Sequence, residues 1–60
     1  MNIPNYLQED IVNYLKAHLN GDDSLYEEVT AEVGLAFVNG HFSEKSRYKL
    51  YQFIDSIKNL

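Results

Sequence analysis

Two histidines, His18 and His41, are the residues of this 60-residue chain best suited to proton transfer or metal binding near neutral pH. A metal site needs several ligands at fixed spacing, and the sequence contains no HxxxH, HExxH or DxDxDG motif. We therefore predict no metal site. His18 falls on the apolar face of the first predicted helix, so we expect a partly buried ring whose nitrogens bond to main-chain carbonyls or water. A pH-sensitive switch or a ligand role is the alternative, and His41 is expected in an exposed loop.

The remaining groups that could do chemistry do not form a recognisable catalytic pattern. There is no cysteine, and the three glycines are isolated, so neither a thiolate nucleophile nor a glycine-rich phosphate loop is available. The carboxylate pairs Asp22-Asp23 and Glu27-Glu28 are adjacent in sequence and would point apart on a helix. The serines fit helix caps or helix surface: Ser24, Ser43, Ser46 and Ser56. We predict a protein that is not an enzyme and uses no cofactor.

Length and composition predict one small domain over residues 1–60. A chain this short buries only about 60% of the surface that its unfolded form exposes, so its stability should be marginal. Without cysteine it cannot form a disulfide, which suits a reducing compartment. The start lacks the basic and apolar segments of a signal peptide, and no apolar run approaches the roughly 20 residues of a membrane span. We expect a cytoplasmic protein with no membrane contact.

Charge is unevenly divided along the chain, whose net charge is −4. Residues 1–32 carry seven acidic side chains and one lysine, whereas residues 33–60 carry four basic and two acidic side chains. An acidic chain is a poor general ligand for phosphate backbones, so nucleic acid is not the expected partner. The two halves should attract each other within one fold, or the acidic half should face a partner.

The first helix is predicted over residues 4–19. Pro4 suits a first turn, and Asn5 with Gln8 is a possible capping box. Asn20-Gly21 should end the helix, because glycine readily adopts the left-handed conformation of a C-terminal cap. The apolar residues repeat at helical spacing and define one inward face: Leu7, Ile11, Tyr14, Leu15 and His18.

The second helix is predicted over residues 25–38, with Ser24 as its cap and Asn39-Gly40 at its end. Gly34 inside this helix weakens it and marks a place where another helix could approach closely. Asn-Gly between apolar residues is also typical of a β-hairpin, so Leu35–Val38 and His41-Phe42 are an alternative pair of strands. The helical interpretation gives an inward stripe: Leu25, Val29, Val33, Ala36 and Phe37.

The third helix is predicted over residues 44–58, with Ser43 as its cap. Its inward stripe should contain Leu50, Phe53, Ile54 and Ile57, with Leu60 as a possible extension. Three amphipathic helices joined by short loops predict an all-α fold, a small three-helix bundle in which consecutive helices are neighbours.

Apolar residues in excess of the core are the strongest indication of function. If the second helix turns its stripe inward, Ala31, Leu35 and Val38 lie on its opposite side. Either they are buried because this helix is sandwiched between the other two, or they form an interface, as contiguous apolar patches on small proteins usually do. We predict a non-enzymatic protein-binding module, a regulator, inhibitor or adaptor that occludes a partner's surface. The predicted partner-binding residues are Glu27, Glu28, Ala31, Leu35, Val38 and Tyr48.

Three alternatives remain open at this stage. A tight turn after Gly34 would give a helix-turn-helix DNA-binding regulator, with Lys45, Arg47 and Lys49 contacting phosphates. A structural homodimer would use the same apolar residues as the predicted interface. An acidic mimic of DNA that inhibits a nucleic-acid enzyme would use the acidic residues of the first half: Asp22, Asp23, Glu27, Glu28 and Glu32.

Overall fold

The computed structural model describes residues 3–60, which contain three α-helices. Helix α1 spans Asn5–Leu19, α2 spans Tyr26–Val38 and α3 spans Glu44–Lys58. The predicted all-α three-helix fold is confirmed, with α1 and α2 each beginning one residue later than predicted. Residues 1 and 2 of the predicted domain lie outside the described part. Along residues 3–60 no helix is both long and apolar enough to cross a membrane.

The helices run up, down and up, as a few contacts along the bundle show. Tyr14 of α1 packs against Tyr26 of α2, with ring centroids 5.9 Å apart, and the Tyr26 hydroxyl donates to Asp55 of α3 at 2.6 Å. At the other end of α2, Phe37 lies under the guanidinium of Arg47 of α3, 4.7 Å from the ring centroid. Both neighbouring pairs are therefore antiparallel, and α1 and α3 run parallel to each other.

The core lies along the axis between the three helices and takes three residues from each. These nine side chains are buried: Leu7, Ile11, Tyr14, Val29, Val33, Ala36, Leu50, Ile54 and Ile57. The buried residues of each helix all belong to its predicted inward stripe. The edges differ from the prediction: Phe37 is half-buried under Arg47, while Phe53 and Leu60 are exposed. Phe53 lies on the side of α3 next to α1, where the bundle is open.

Both Asn-Gly pairs end helices in the same way. Gly21 and Gly40 have φ angles of 83° and 82°, the left-handed region that only glycine adopts without strain. The amides of Gly21 and Asp22 donate to the carbonyls of His18 and Ala17. Gly40 and His41 repeat the pattern after α2, so each helix closes in a Schellman motif. The loops predicted at these two positions are confirmed.

The helix starts agree less well with the sequence. Ser43 caps α3 as predicted, accepting a hydrogen bond from the Ser46 amide at 3.2 Å. Ser24 does not cap α2; its own amide donates to Asp22 at 2.9 Å, and α2 begins after Leu25 without a side-chain cap. The Asn5 capping box is also absent from α1, because Gln8 donates to the Ile3 carbonyl instead.

Gly34 lies within α2, which continues unbroken through it to Val38. A methyl group at Gly34 would lie 3.3 Å from the hydroxyl of Tyr51 on α3, so the missing side chain allows these helices to approach closely. The close approach predicted at Gly34 is confirmed. The turn that the helix-turn-helix alternative needs after Gly34, and the hairpin strand at Leu35–Val38, are both replaced by helix.

Candidate protein interaction surfaces

The outer face of α2, formed by Ala31, Leu35 and Val38, is open to solvent. Leu35 is 62% exposed and Val38 is 77% exposed, although both lie in the most apolar part of the chain. Their burial between the other two helices, the alternative at the sequence level, is thereby excluded. Exposing two large aliphatic side chains next to each other on one helix gives up about 25 cal/mol for each Å² left in water. The outer face of α2 is therefore available to a partner.

Acidic side chains border this face. Glu27 and Glu28 are exposed in the first turn of α2, where the positive end of the helix dipole favours carboxylates. Tyr48, the last predicted interface residue, is exposed on α3. It follows Arg47, which covers Phe37, and helical phase puts it at the outer edge of the α2–α3 seam. The structure thus groups five of the six predicted residues on α2 and leaves Tyr48 beyond the seam.

A cluster of acids between α1 and α2 extends the negative rim. Glu32, Glu28 and Asp10 line a cavity of about 160 Å³ together with Asn13. One carboxylate oxygen of Glu32, Oε2, is shielded from solvent and has no hydrogen-bond partner within residues 3–60. Burial, followed by the hydrogen bond and charge of Asp10 and the charge of Glu28, raises the pKa of Glu32 to about 7. Asp10 and Glu28 thus act on a half-buried carboxyl group of Glu32 on this flank of α2.

The carboxyl groups of this cluster do not form a metal site. Within residues 3–60, no group of three or more His, Cys, Asp or Glu side chains is placed to hold a metal ion. With a pKa of about 7, Glu32 is partly protonated near neutral pH.

His18 forms a clamp at the end of the bundle where α1 ends and α2 begins. Its Nδ1 lies 2.5 Å from a carboxylate oxygen of Asp23, and its Nε2 lies 3.5 Å from the main-chain carbonyl of Leu60. The hydrogen bond to Asp23 raises the pKa of His18. Asp23 also accepts from the buried Tyr14 hydroxyl at 3.3 Å. Both ring nitrogens face acceptors, so the protonated ring ties the end of α1 to the loop and to the end of the chain.

This clamp fits the sequence expectation in part. Burial of the ring and the bond to a main-chain carbonyl were predicted, but the carboxylate partner was not. The signal available in the sequence is the five-residue separation of His18 and Asp23 across an Asn-Gly helix end, which folds the chain back on the helix.

The three basic residues of the DNA-binding alternative do not share one surface. Lys45 and Lys49 are exposed on the outside of α3. Arg47 points toward α2 instead: it is half-buried, stacks on Phe37 and Tyr51, and lies 3.5 Å from the carboxylate of Glu44. Two lysines are left as a free positive pair.

A second apolar surface, a groove between α1 and α3, was missed by the sequence-level reasoning. It encloses about 380 Å³. Val12 and Phe53 form its walls at 48% and 53% exposure, and the core residues Ile11 and Leu50 form its floor. The signal available in the sequence is that Val12 and Leu19 are seven residues apart on one face of α1.

Comparison with known proteins adds no functional information. No protein-family model matches the chain, and no curated protein or solved structure is significantly similar to it. The functional inference rests on the surfaces described above.

Proposed function

We propose that this protein is a non-enzymatic binding module that regulates, inhibits or adapts another protein by covering part of its surface. The observation that carries the proposal is the exposure of Leu35 and Val38 on the outer face of α2. A single scattered apolar side chain is ordinary protein surface, but aligned ones rimmed by charge are typical of an interface. The aliphatic pair supplies the central contact, and water is excluded around it on binding.

The rim defines the chemistry of the partner. Glu27 and Glu28 are exposed about two to three turns before the aliphatic pair on the same helix, and the acid cluster at Glu32 lies on the flank toward α1. A second copy of the chain placed on this face would oppose acid to acid, which costs binding energy. The fitting partner is a different protein with an apolar patch surrounded by lysine or arginine. Attraction between the two rims would speed encounter and set the orientation.

The remaining parts of the proposal follow from composition. A chain without cysteine suits a reducing compartment, so we place the protein in the cytoplasm. Its role would be occlusion of the partner's surface.

The test is affinity capture from the cell that makes the protein, with Leu35→Asp compared against the unmodified chain. We expect a basic-surfaced protein to be captured by the unmodified chain and lost with Leu35→Asp, because the new charge is buried without a partner in the complex. Replacing Glu27 and Glu28 together by Gln should weaken capture and flatten its dependence on salt.

The control is Tyr6→Asp, which introduces the same charge at an exposed apolar residue of α1 that belongs to neither apolar surface. It should leave capture intact, and circular dichroism should show that both variants fold. Equal capture by Leu35→Asp and the unmodified chain would contradict the proposal, as would equal loss with both aspartate variants.

A further inference from the structure

We infer that the side of the bundle formed by α1 and α3 is a self-association surface on which two copies pair, with α1 of each copy lying on α3 of the other. This surface is separate from the outer face of α2, and the inference does not depend on the proposed function. The occupant of the groove between α1 and α3 is thus a second copy of this chain.

The apolar side chains on this side form a strip along the bundle. Val12 and Leu19 are seven residues apart on α1, so they share a helical face. Phe53 lies on α3, and Leu60 lies two residues beyond Lys58, the last residue of that helix. All four side chains are exposed, and they make up half of the large exposed apolar residues of residues 3–60. The floor between them is thinly covered: Ile11 and Leu50 keep 7% and 5% exposure, the highest values in the core.

The two helices are in register for such pairing. They run parallel, with Gln8 and Lys49 lining one end of the groove and His18 reaching the Leu60 carbonyl at the other end of the bundle. A two-fold axis parallel to the helices sets α1 of one copy against α3 of the next without reversing direction. Val12 then lies level with Phe53 of the other copy, and Leu19 lies level with Leu60. Such an interface is closed, so association stops at the dimer.

The charges along the strip are complementary in this arrangement. Glu9 and Lys16 lie beside Val12 on the outer surface of α1, and Lys49 lines the groove on α3 at the level of Glu9. The two-fold axis pairs Glu9 of each copy with Lys49 of the other, which gives two ion pairs at the rim. The charged side chains of α2 are all acidic, so its outer face offers no such pairing of opposite charges within that helix. The match between Glu9 of one copy and Lys49 of the other favours a second copy as the occupant.

The shape of the groove also disfavours a small apolar ligand. Ligand pockets bury 70–90% of the ligand's surface, whereas this groove is an open channel whose walls are themselves half-exposed. An open, elongated groove of this kind is better covered by two helices of another protein molecule.

The experiment is sedimentation equilibrium of the full chain over a concentration series, with variants on each wall. The unmodified chain should associate to a dimer and no further. Phe53→Asp and Val12→Asp should each abolish association, because the new charge would be buried in the interface without a partner. Leu35→Asp is the control and should associate like the unmodified chain. A monomer at every concentration, or association beyond the dimer, would overturn the inference, and so would loss of the dimer in Leu35→Asp.

A charge exchange tests the register. Lys49→Glu alone and Glu9→Lys alone should each weaken the dimer about tenfold, since each change replaces two attractions by two repulsions. Glu9→Lys together with Lys49→Glu should restore the dissociation constant to within about threefold of the original. If the combined variant is weaker than either single variant, α1 does not lie on α3 of the other copy. Circular dichroism of each variant separates loss of association from loss of fold.

Discussion

The outer face of α2 and the groove between α1 and α3 are both apolar, but they differ in the charges that surround them. The charged side chains of α2 are carboxylates alone: Glu27, Glu28 and Glu32. Val12 and Phe53 are bordered by Glu9 and Lys16 on one wall and by Lys49 on the other. Both surfaces offer hydrophobic area, and the signs at their rims distinguish which partner each can accept.

If both proposals hold, this difference would allow a 60-residue chain to bind two different partners through two distinct surfaces. Apolar area supplies affinity and has no direction, whereas charged rims determine orientation and exclude wrong partners. A rim of one sign excludes a second copy and selects a basic partner. A rim of mixed sign is self-complementary under a two-fold axis. The two surfaces can therefore be tested against each other with the same kind of substitution.

The largest expected effect comes from the floor of the groove. Leu50→Ala should lower the free energy of unfolding by about 2–5 kcal/mol, because a buried leucine is replaced by a cavity. Leu35→Ala, at an exposed leucine on the outer face of α2, should stay within about 0.5 kcal/mol of the unmodified chain. Urea unfolding followed by circular dichroism measures both. If Leu35→Ala costs as much as Leu50→Ala, Leu35 is packed in solution and the outer face of α2 is not a free surface.

The sequence was sufficient for the fold because its signals agree with one another. Val29, Val33 and Ala36 recur at helical spacing, and each Asn-Gly pair can close a helix with glycine in the left-handed region. Periodicity locates the centre of an apolar arc well and its edges poorly. Phe53 fits the stripe of Leu50, Ile54 and Ile57 in sequence, yet it is exposed because α3 turns toward α2 and leaves its α1 side open.

Because periodicity describes one helix at a time, it predicted the outer face of α2 but not the groove between α1 and α3. The position of Leu35 and Val38 opposite the core stripe follows from helical geometry within one helix. The groove needs the relative rotation of two helices that are distant in sequence, which periodicity alone cannot supply. The sequence also does not decide which polar residue caps α2, because Asp22, Asp23 and Ser24 are all good caps. In the structure Asp22 accepts from the Ser24 amide in a turn, and Asp23 is the partner of His18.

The acidic rim should make stability depend on pH. The folded pKa of Glu32, about 7, lies above its ordinary value of 4.5, so the folded state binds the proton more tightly than the unfolded state. Stability should therefore fall as pH rises from about 4.5 through 7. Glu32→Gln should remove this dependence and exceed the unmodified chain at pH 8 by about 1 kcal/mol, a figure that allows for partial screening by solvent.

Urea unfolding at pH 5 and pH 8 checks this prediction, and the two chains should differ less at pH 5. His18 contributes with the same sign, since its pKa is raised above 6.5 and its bond to Asp23 is lost as pH rises through the folded value. A decline that persists in Glu32→Gln above pH 6.5 belongs to His18. If Glu32→Gln is no more stable than the unmodified chain at pH 8, the negative potential on this flank of α2 is weaker than the structure indicates.

The seam between α2 and α3 fixes which way α2 turns, and Gly34 is its closest point. Alanine is favoured over glycine inside a helix by about 0.5–1 kcal/mol, but its methyl group would press on the Tyr51 hydroxyl at 3.3 Å. Gly34→Ala should therefore show its full gain only together with Tyr51→Phe, which removes the hydroxyl. Thermal unfolding of the two single variants and the double variant gives the coupling. Additive effects would show that Tyr51 moves aside freely and does not hold the rotation that exposes Leu35.

The smallest expected effect is the response of self-association to salt. The Debye length falls from about 10 Å at 0.1 M salt to about 3 Å at 1 M, so the ion pairs between Glu9 and Lys49 should lose most of their attraction. Exposed pairs contribute about 0.2–1 kcal/mol each, and the apolar strip is not weakened by salt. The dimer should weaken by no more than about tenfold in sedimentation over this range, while binding of a basic partner to the all-acidic rim of α2 should slow more steeply. A dimer that strengthens with salt would indicate that like charges face each other across the interface, and the contrast between the two rims would then fail.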